Sequence, residues 1–405
     1  MNKHNTIKRT SPTGQARRRK WYQRLFRSVA SFLVVLTLLT SCALPQVSAE
    51  DRIFLNYSLD FLGEYSLSKQ TEINHHSMGR LSAITYAIPG YGDRTTEGIH
   101  FYALADAQTE NPAQFYTLKF DLTSQDRITL NQVKIENETI LKDESDQPLS
   151  LTTTHPESVA FSPRNSLFIA AEKSVENQSL PFIGEFDLET GQLRNTVPIP
   201  PGYIPTIDDE GGEQQQGIQA NSGFKSMTIA PDGFSPGGKD PFRLFTATEA
   251  SLVQDRDGDA ATKLRTLHYV IADRASFLVS ENLYPLEASE ASETSPRELV
   301  DIVALSQGGY LLSLERSPNS GQIYQVFTGD STDTSRIASL RGQLRKVQPM
   351  RKKLLFDLNQ LDVSFHPLTG MTLGPRLADG GQSLLLMGED DGETTQFLLF
   401  SLKQS

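Results

Sequence analysis

Phe168-Ile169-Ala170-Ala171-Glu172 is a short apolar run closed by a carboxylate, and the same form returns four times more. The others are Tyr102-Ala103-Leu104-Ala105-Asp106, Phe245-Thr246-Ala247-Thr248-Glu249, Leu311-Leu312-Ser313-Leu314-Glu315 and Leu385-Leu386-Met387-Gly388-Glu389. The closing acids stand 66, 77, 66 and 74 residues apart. Apolar runs this short, bounded by Gly, Pro, Asn and Asp, read as buried strands. Each has a second strand before it: Leu81 to Tyr86, Ser158 to Phe161, Ser226 to Ile229, Leu299 to Leu305 and Gly370 to Leu373. Each also has one after it, near Phe115, Ile183, Leu267, Ile323 and Phe397.

Working outward, amphipathic helix is scarce, and the repeat is one of antiparallel sheets. Such sheets, stacked face to face around an axis, make a β-propeller. The expected fold is therefore all-β, a propeller of five to seven blades, with an open β-sandwich as the alternative. The segment Arg52 to Ser66 is expected to pair beside Phe397 to Leu402 and close the ring. Pro200 to Asn221 reads as a long acidic loop, and Ile337 to Lys353 as one helix or hairpin.

Residues 1–49 carry nine Lys or Arg and no Asp or Glu. The run Arg17 to Lys20 is followed by the apolar stretch Val29 to Leu39 and then by small residues. Basic, then apolar, then small is the order of a secretory signal. The apolar stretch falls short of the roughly 20 residues that span a bilayer. Two processing routes are open. Leu39-Thr40-Ser41-Cys42 has the form of a lipobox, in which Cys42, the only cysteine, takes a lipid anchor. Val47-Ser48-Ala49 suits ordinary cleavage before Glu50. Either way residues 50–405 are expected to work outside the cytoplasm, periplasmic, envelope-associated or secreted, without an intramolecular disulfide. They hold 29 Lys plus Arg against 49 Asp plus Glu, a net charge of −20. A body this acidic repels nucleic-acid phosphates, so a nucleic-acid partner is excluded.

Several stretches carry a family likeness: His155-Pro156-Glu157-Ser158-Val159-Ala160, Asn221 to Met227, Thr248 to Asp255, and Leu314-Glu315-Arg316-Ser317. The most specific is Thr369 to Gly380, followed by Glu389-Asp390-Asp391. On these residues the sequence resembles the esterase-like phytase family of exported propeller-type proteins. The resemblance implies a propeller and hydrolysis of phosphate or carboxylic esters. Three positions depart from the family pattern: Lys225 and Thr369 stand where Glu is usual, and Gly392 where Asn is usual. Losing two carboxylates and gaining an amine weakens any cation site there.

The sequence has no Gly-x-Ser-x-Gly elbow, no His-Glu-x-x-His and no phosphate-binding Gly-rich loop with Lys and Ser or Thr. These absences argue against a serine hydrolase, a zincin and a P-loop enzyme. Carboxylates remain. If the strand ends meet at one mouth, Glu157, Glu172, Glu249 and Glu315 form an acidic cluster, with Arg316 as a planar grip for an anion. Asp106, Glu389 and Asp390 then add oxygens for a hard cation such as calcium. Such an ion would polarise a phosphate or activate a water. The alternative for the same acids is a structural role at strand ends. Asp255-Arg256-Asp257-Gly258-Asp259 alternates acids around a Gly and is a second cation candidate, or a plain hairpin loop. Two functions stand open: a calcium-assisted hydrolase of a small ester or phosphoester, and a non-catalytic envelope lipoprotein that binds a ligand or partner on the same mouth.

Overall fold

A computed structural model describes residues 52–404 apart from 70–71, 74–75, 90–98, 106–111, 125–127, 151–153, 176–177, 208–211, 236–237, 257–262, 287–296, 318–319, 343 and 391–392. The signal segment and Cys42 thus lie outside the described residues.

The described chain is all-β, with five four-stranded antiparallel sheets and no α-helix among the described residues. Blade one is Leu81–Tyr86, Ile99–Ala105, Gln114–Ser124 and Ile128–Ile140. Blade two is Thr154–Ser162, Ser166–Val175, Gln178–Asp187 and Leu193–Thr196. Blade three is Phe224–Ile229, Phe242–Thr248, Lys263–Ile271 and Ser276–Pro285. Blade four is Glu298–Ala304, Tyr310–Ser317, Ser320–Phe327 and Arg351–Asp357. Blade five has Leu368–Arg376, Gln382–Glu389 and Thr394–Gln404, and its outer strand is Tyr57–Ser68 from the start of the described chain. Tyr57 pairs with Gln404 and Ser68 with Thr394, so the expected closure of the ring is present. The first strand of each blade packs on the first strands of both neighbours, and the fifth packs on the first. The ring is a closed five-bladed propeller.

The sequence builds this through strands buried on both faces. In blade five Leu384 and Leu386 enter the core shared with blade four, while Leu385 and Met387 enter the core shared with blade one. In blade two Leu167 and Ile169 face blade one, and Phe168 and Ala170 face blade three. Five such cores fill the five gaps between blades. Alternation in a strand sends successive side chains to opposite faces, so a blade with two dry faces needs an unbroken apolar run.

Hydroxyls stitch the inner strands together. Thr85 Oγ1 accepts the Phe161 N–H at 3.1 Å, Thr228 Oγ1 accepts that of Ala304 at 3.0 Å, and Thr372 Oγ1 accepts that of Tyr86 at 3.2 Å. Each link satisfies a backbone donor that faces the next blade rather than its own sheet.

Two sequence expectations change. Within Pro200 to Asn221 a small hairpin forms, Thr206–Ile207 with Gln214–Gln216. The stretch 337–350 holds no helix among its described residues. It belongs to an excursion that binds blade three, where Thr334 N–H donates to the Glu281 carbonyl and Leu340 N–H to Asp255, before Arg351–Asp357 completes blade four. The Leu and Arg spacing there gives no continuous apolar face for a helix to bury.

Candidate functional site at the entry end of the ring

Every inner strand carries a β-bulge close to its start. The extra residues are Ser82, Glu157, Lys225, Val300 and Thr369 in blades one to five. A bulge re-aims one side chain and bends the strand. Here the five bulges share one end of the ring, where the inner strands begin and the second strands finish. Glu157 and Lys225 come from adjacent blades and meet: Lys225 Nζ donates to Glu157 Oε2 at 2.6 Å, both side chains being mostly buried. Thr369 Oγ1 is buried and makes no hydrogen bond among the described residues.

The second-strand ends define the rest. Glu172 faces blade three and accepts the Asn221 N–H at 3.1 Å. Glu389 faces blade one, accepts the Leu81 N–H at 3.1 Å and pairs with Lys69 at 2.5 Å. These two are clasps between blades. Glu249 holds the same position in blade three, its own N–H donating to the Gly223 carbonyl. Its carboxylate is part-exposed and makes no hydrogen bond among the described residues. Burial pushes its pKa up to about 7; Lys225 and Arg316 pull against this, and Glu298 and Glu157 add to it. Lys225 stays charged: burial pulls its pKa down, but Glu157 and Glu249 outweigh that and leave it raised.

In blade four the register corrects the sequence reading. Glu298 pairs with Arg316, and Leu299 with Glu315. Arg316, not Glu315, therefore stands in the position of Glu172, Glu249 and Glu389. Its guanidinium holds Glu298 Oε2 at 2.8 Å and reaches the Leu368 carbonyl of blade five at 2.5 Å. Glu315 lies one residue earlier and so faces backwards, into the core with blade three. There it accepts from the Tyr284 hydroxyl at 2.5 Å and pairs with Lys352, whose ammonium also sits 4.4 Å from the Tyr324 ring centre. With its side chain fully buried among these partners, Glu315 is a core ion pair and not a mouth carboxylate.

Glu157, Lys225, Glu249, Glu298 and Arg316 thus share one charged mouth, and Glu172, Glu315 and Glu389 are engaged elsewhere. Asp390 caps its own turn, accepting the Glu393 and Thr394 N–H groups at 2.7 and 2.9 Å. Asp255 is also spoken for: Arg265 grips it at 2.6 and 3.0 Å while also holding Glu281, all buried, and the Leu340 N–H donates to it. Asp106, Asp257 and Asp259 lie outside the described residues. Asp301 follows the blade-four bulge. It was unmarked in the sequence, being a single acid inside an apolar run. Burial pushes its pKa up to about 8, against N–H groups of Met371, Ile302 and Met227 and the charge of Lys225, which pull it down. Two of those donors come from the inner strands of neighbouring blades, so Asp301 ties three blades together near the mouth.

Calcium does not fit the described donors. Glu157 and Glu298 are each neutralised by a protein cation. Among the described residues no three Asp, Glu, His or Cys side chains converge as a metal site requires. The ammonium of Lys225 occupies the heart of the cluster, where a cation would need free oxygens.

A sizeable cavity lies away from this chemistry. It measures about 560 Å³ and opens at the opposite end, where the five inner strands finish.

A family model described as "Phytase-like: Esterase-like activity of phytase" matches residues 76–392. No curated protein matches the chain. Among solved structures the chain is similar to a member of the DUF4221 family from Bacteroides vulgatus, at 10% identity, 86% coverage of this chain, 99% of that chain and a TM-score of 0.34.

Proposed function

The chain belongs to the phytase-like family, described by the esterase-like activity of phytase, and from that membership we propose that it is an ester hydrolase working at the charged mouth, with Glu249 as general base. The observation that carries this is the Glu249 carboxylate: part-exposed, without a hydrogen bond among the described residues, and with a pKa pushed up to about 7. A general base works best when its pKa lies near the operating pH. Glu249 would take a proton from a water, the water oxygen would attack the ester carbon, and the same proton would pass to the departing alkoxide. Lys225 and Arg316 supply positive charge for the developing oxyanion. The Thr369 hydroxyl offers one further donor.

The charge balance selects the substrate. Two cations face Glu157, Glu298 and a half-ionised Glu249, so the mouth carries no surplus positive charge for a phosphate dianion. A neutral carboxylic ester meets no such repulsion. The basic, apolar, small order of residues 1–49 supports placing this reaction outside the cytoplasm.

The test is hydrolysis of p-nitrophenyl acetate and p-nitrophenyl phosphate with EDTA present. The acetate is expected to turn over, the phosphate not, and Glu249→Gln to lower kcat/KM roughly 10²- to 10⁴-fold. Unchanged turnover in Glu249→Gln refutes the assignment of the base. No turnover of either ester by the wild type refutes the hydrolase and leaves a ligand-binding role for the mouth.

A further inference from the structure

The cavity at the far end of the ring has an apolar belt in a lining that also carries hydroxyl and amide groups. All five inner strands contribute to it, and its lining includes Ile84, Val159, Met227, Ile302 and Met371, buried side chains from equivalent positions of the five blades. At about 560 Å³ it lies within the range of small-molecule sites, which are mostly apolar with a few placed polar groups.

Its charge sets it apart from the rest of the molecule. The chain has 49 Asp plus Glu against 38 Lys plus Arg, yet no acid lines this cavity among the described residues. Among the described residues the single charged one lining it is Arg376, which sits exposed at the rim. Arg376 donates one long hydrogen bond, at 3.3 Å, to the Gly380 carbonyl and forms no ion pair among the described residues. The Tyr57 hydroxyl stands close to it: burial raises that phenol's pKa, and the Arg376 charge draws it part of the way back. Tyr57 donates to Gln307 Oε1 at 2.8 Å, and Gln307 donates to Gln404 at 3.0 Å. The rim therefore offers neutral polar groups beside one guanidinium, above an interior of apolar side chains interspersed with Thr85, Thr228 and Thr372.

We infer that this cavity binds an amphipathic monoanion, its hydrocarbon body inside the ring and its carboxylate on Arg376. The apolar belt favours the apolar body at roughly 25 cal/mol per Å² buried. A guanidinium binds a carboxylate through two parallel N–H donors. A cationic ligand finds no carboxylate among the described lining residues, and a fully polar one gives up its hydration against the apolar belt. The site stands apart from the charged mouth and does not depend on esterase activity.

Titration calorimetry with decanoate and with decanol tests it. Decanoate is expected to saturate at one per chain and to bind about two- to fivefold tighter than decanol, the scale of one partly exposed ion pair. Arg376→Gln, a change at an exposed rim position, is expected to abolish that preference and leave decanol binding unaltered. Val303→Phe, which fills the wall, is expected to weaken both ligands; its melting temperature shows whether the fold survives. Absence of 1:1 decanoate binding overturns the proposal, as does equal affinity for the alcohol. A preference for decanoate that persists in Arg376→Gln overturns the role of the guanidinium.

Discussion

Replacing Glu249 with Gln should make the protein more stable at alkaline pH and leave it unchanged in acid. Burial, with Glu298 and Glu157 nearby, lifts this carboxyl from 4.5 to about 7 in the folded state. The folded protein then holds a proton that the unfolded chain gives up between pH 4.5 and 7. Stability falls wherever the folded state binds more protons as pH rises, so this group's contribution is complete below about 4.5 and is lost as pH climbs through 7. A gap of ~2.5 units at 1.36 kcal/mol per unit sets a ceiling of ~3 kcal/mol. The carboxyl is part-exposed, and water screens it, so ~1.5 kcal/mol is the working figure. Gln is nearly isosteric and never ionises. The difference between variant and wild type should therefore be near zero at pH 4.5 and reach ~1.5 kcal/mol in favour of the variant at pH 8. Unfolding entropy of ~2.1 cal/mol/K per residue over ~350 residues converts that to ~2 °C in Tm. Urea unfolding of both proteins from pH 4.5 to 8 measures it, and all other titrating groups cancel in the difference. A flat difference, or a variant that loses ground as pH rises, refutes the reasoning. It would mean that Lys225 holds Glu249 ionised throughout, and the proposed base would then have an ordinary carboxylate pKa.

Two further outcomes separate structural from functional charge. Glu315→Gln takes the carboxylate from a buried Lys352 and Tyr284, so it should cost about 3 kcal/mol of stability. Ester turnover per folded molecule should stay unchanged, checked by denaturant titration beside active fraction. Thr228→Val removes the oxygen that accepts the Ala304 N–H across the gap between blades three and four. It should cost about 1–3 kcal/mol and speed amide hydrogen exchange at Ala304 more than at Phe161, whose link runs through Thr85.

The propeller was legible because its blades are dry on both faces. Runs such as Leu384-Leu385-Leu386-Met387 feed two cores at once, so they stand out as unbroken apolar segments, and the five blades fall within the expected five to seven. Ring closure was legible too, since Tyr57–Ser68 had no other sheet to join. What the sequence hid was register. The fourth repeat ends Leu314-Glu315-Arg316, and matching acid to acid selected Glu315. The pairing of Leu299 with Glu315 moves the repeat position to Arg316, and in a strand one residue reverses the face. No propensity or composition distinguishes those two neighbours; only their partners do, Tyr284 and Lys352 behind, Glu298 and Leu368 ahead. The far cavity was hidden for a related reason. Residues such as Met227 and Met371 read as core from sequence, and core and cavity wall have the same composition.

The same register explains why one clasp in the series became a titratable group. Glu172 and Glu389 each reach forward and accept a backbone N–H from the start of the next blade. Glu249 reaches forward towards blade four, whose first strand begins with Glu298, itself held by Arg316. The residues just ahead of the bulged pair in blades one, two, three and five are Arg80, His155, Gly223 and Pro367, none of them acidic. Only in blade four does a carboxylate face the incoming acid. Two like charges at close range disfavour joint ionisation and lift the less solvated one. Glu298 is ion-paired with Arg316, and it adds to the burial that raises Glu249. Exchanging Glu298 for Gln should therefore lower the Glu249 pKa from about 7 towards the ordinary carboxylate range and carry the acid limb of the esterase pH profile down with it. An acid limb that stays near 7 would assign it to another group, and the buried Asp301 would be the first to substitute.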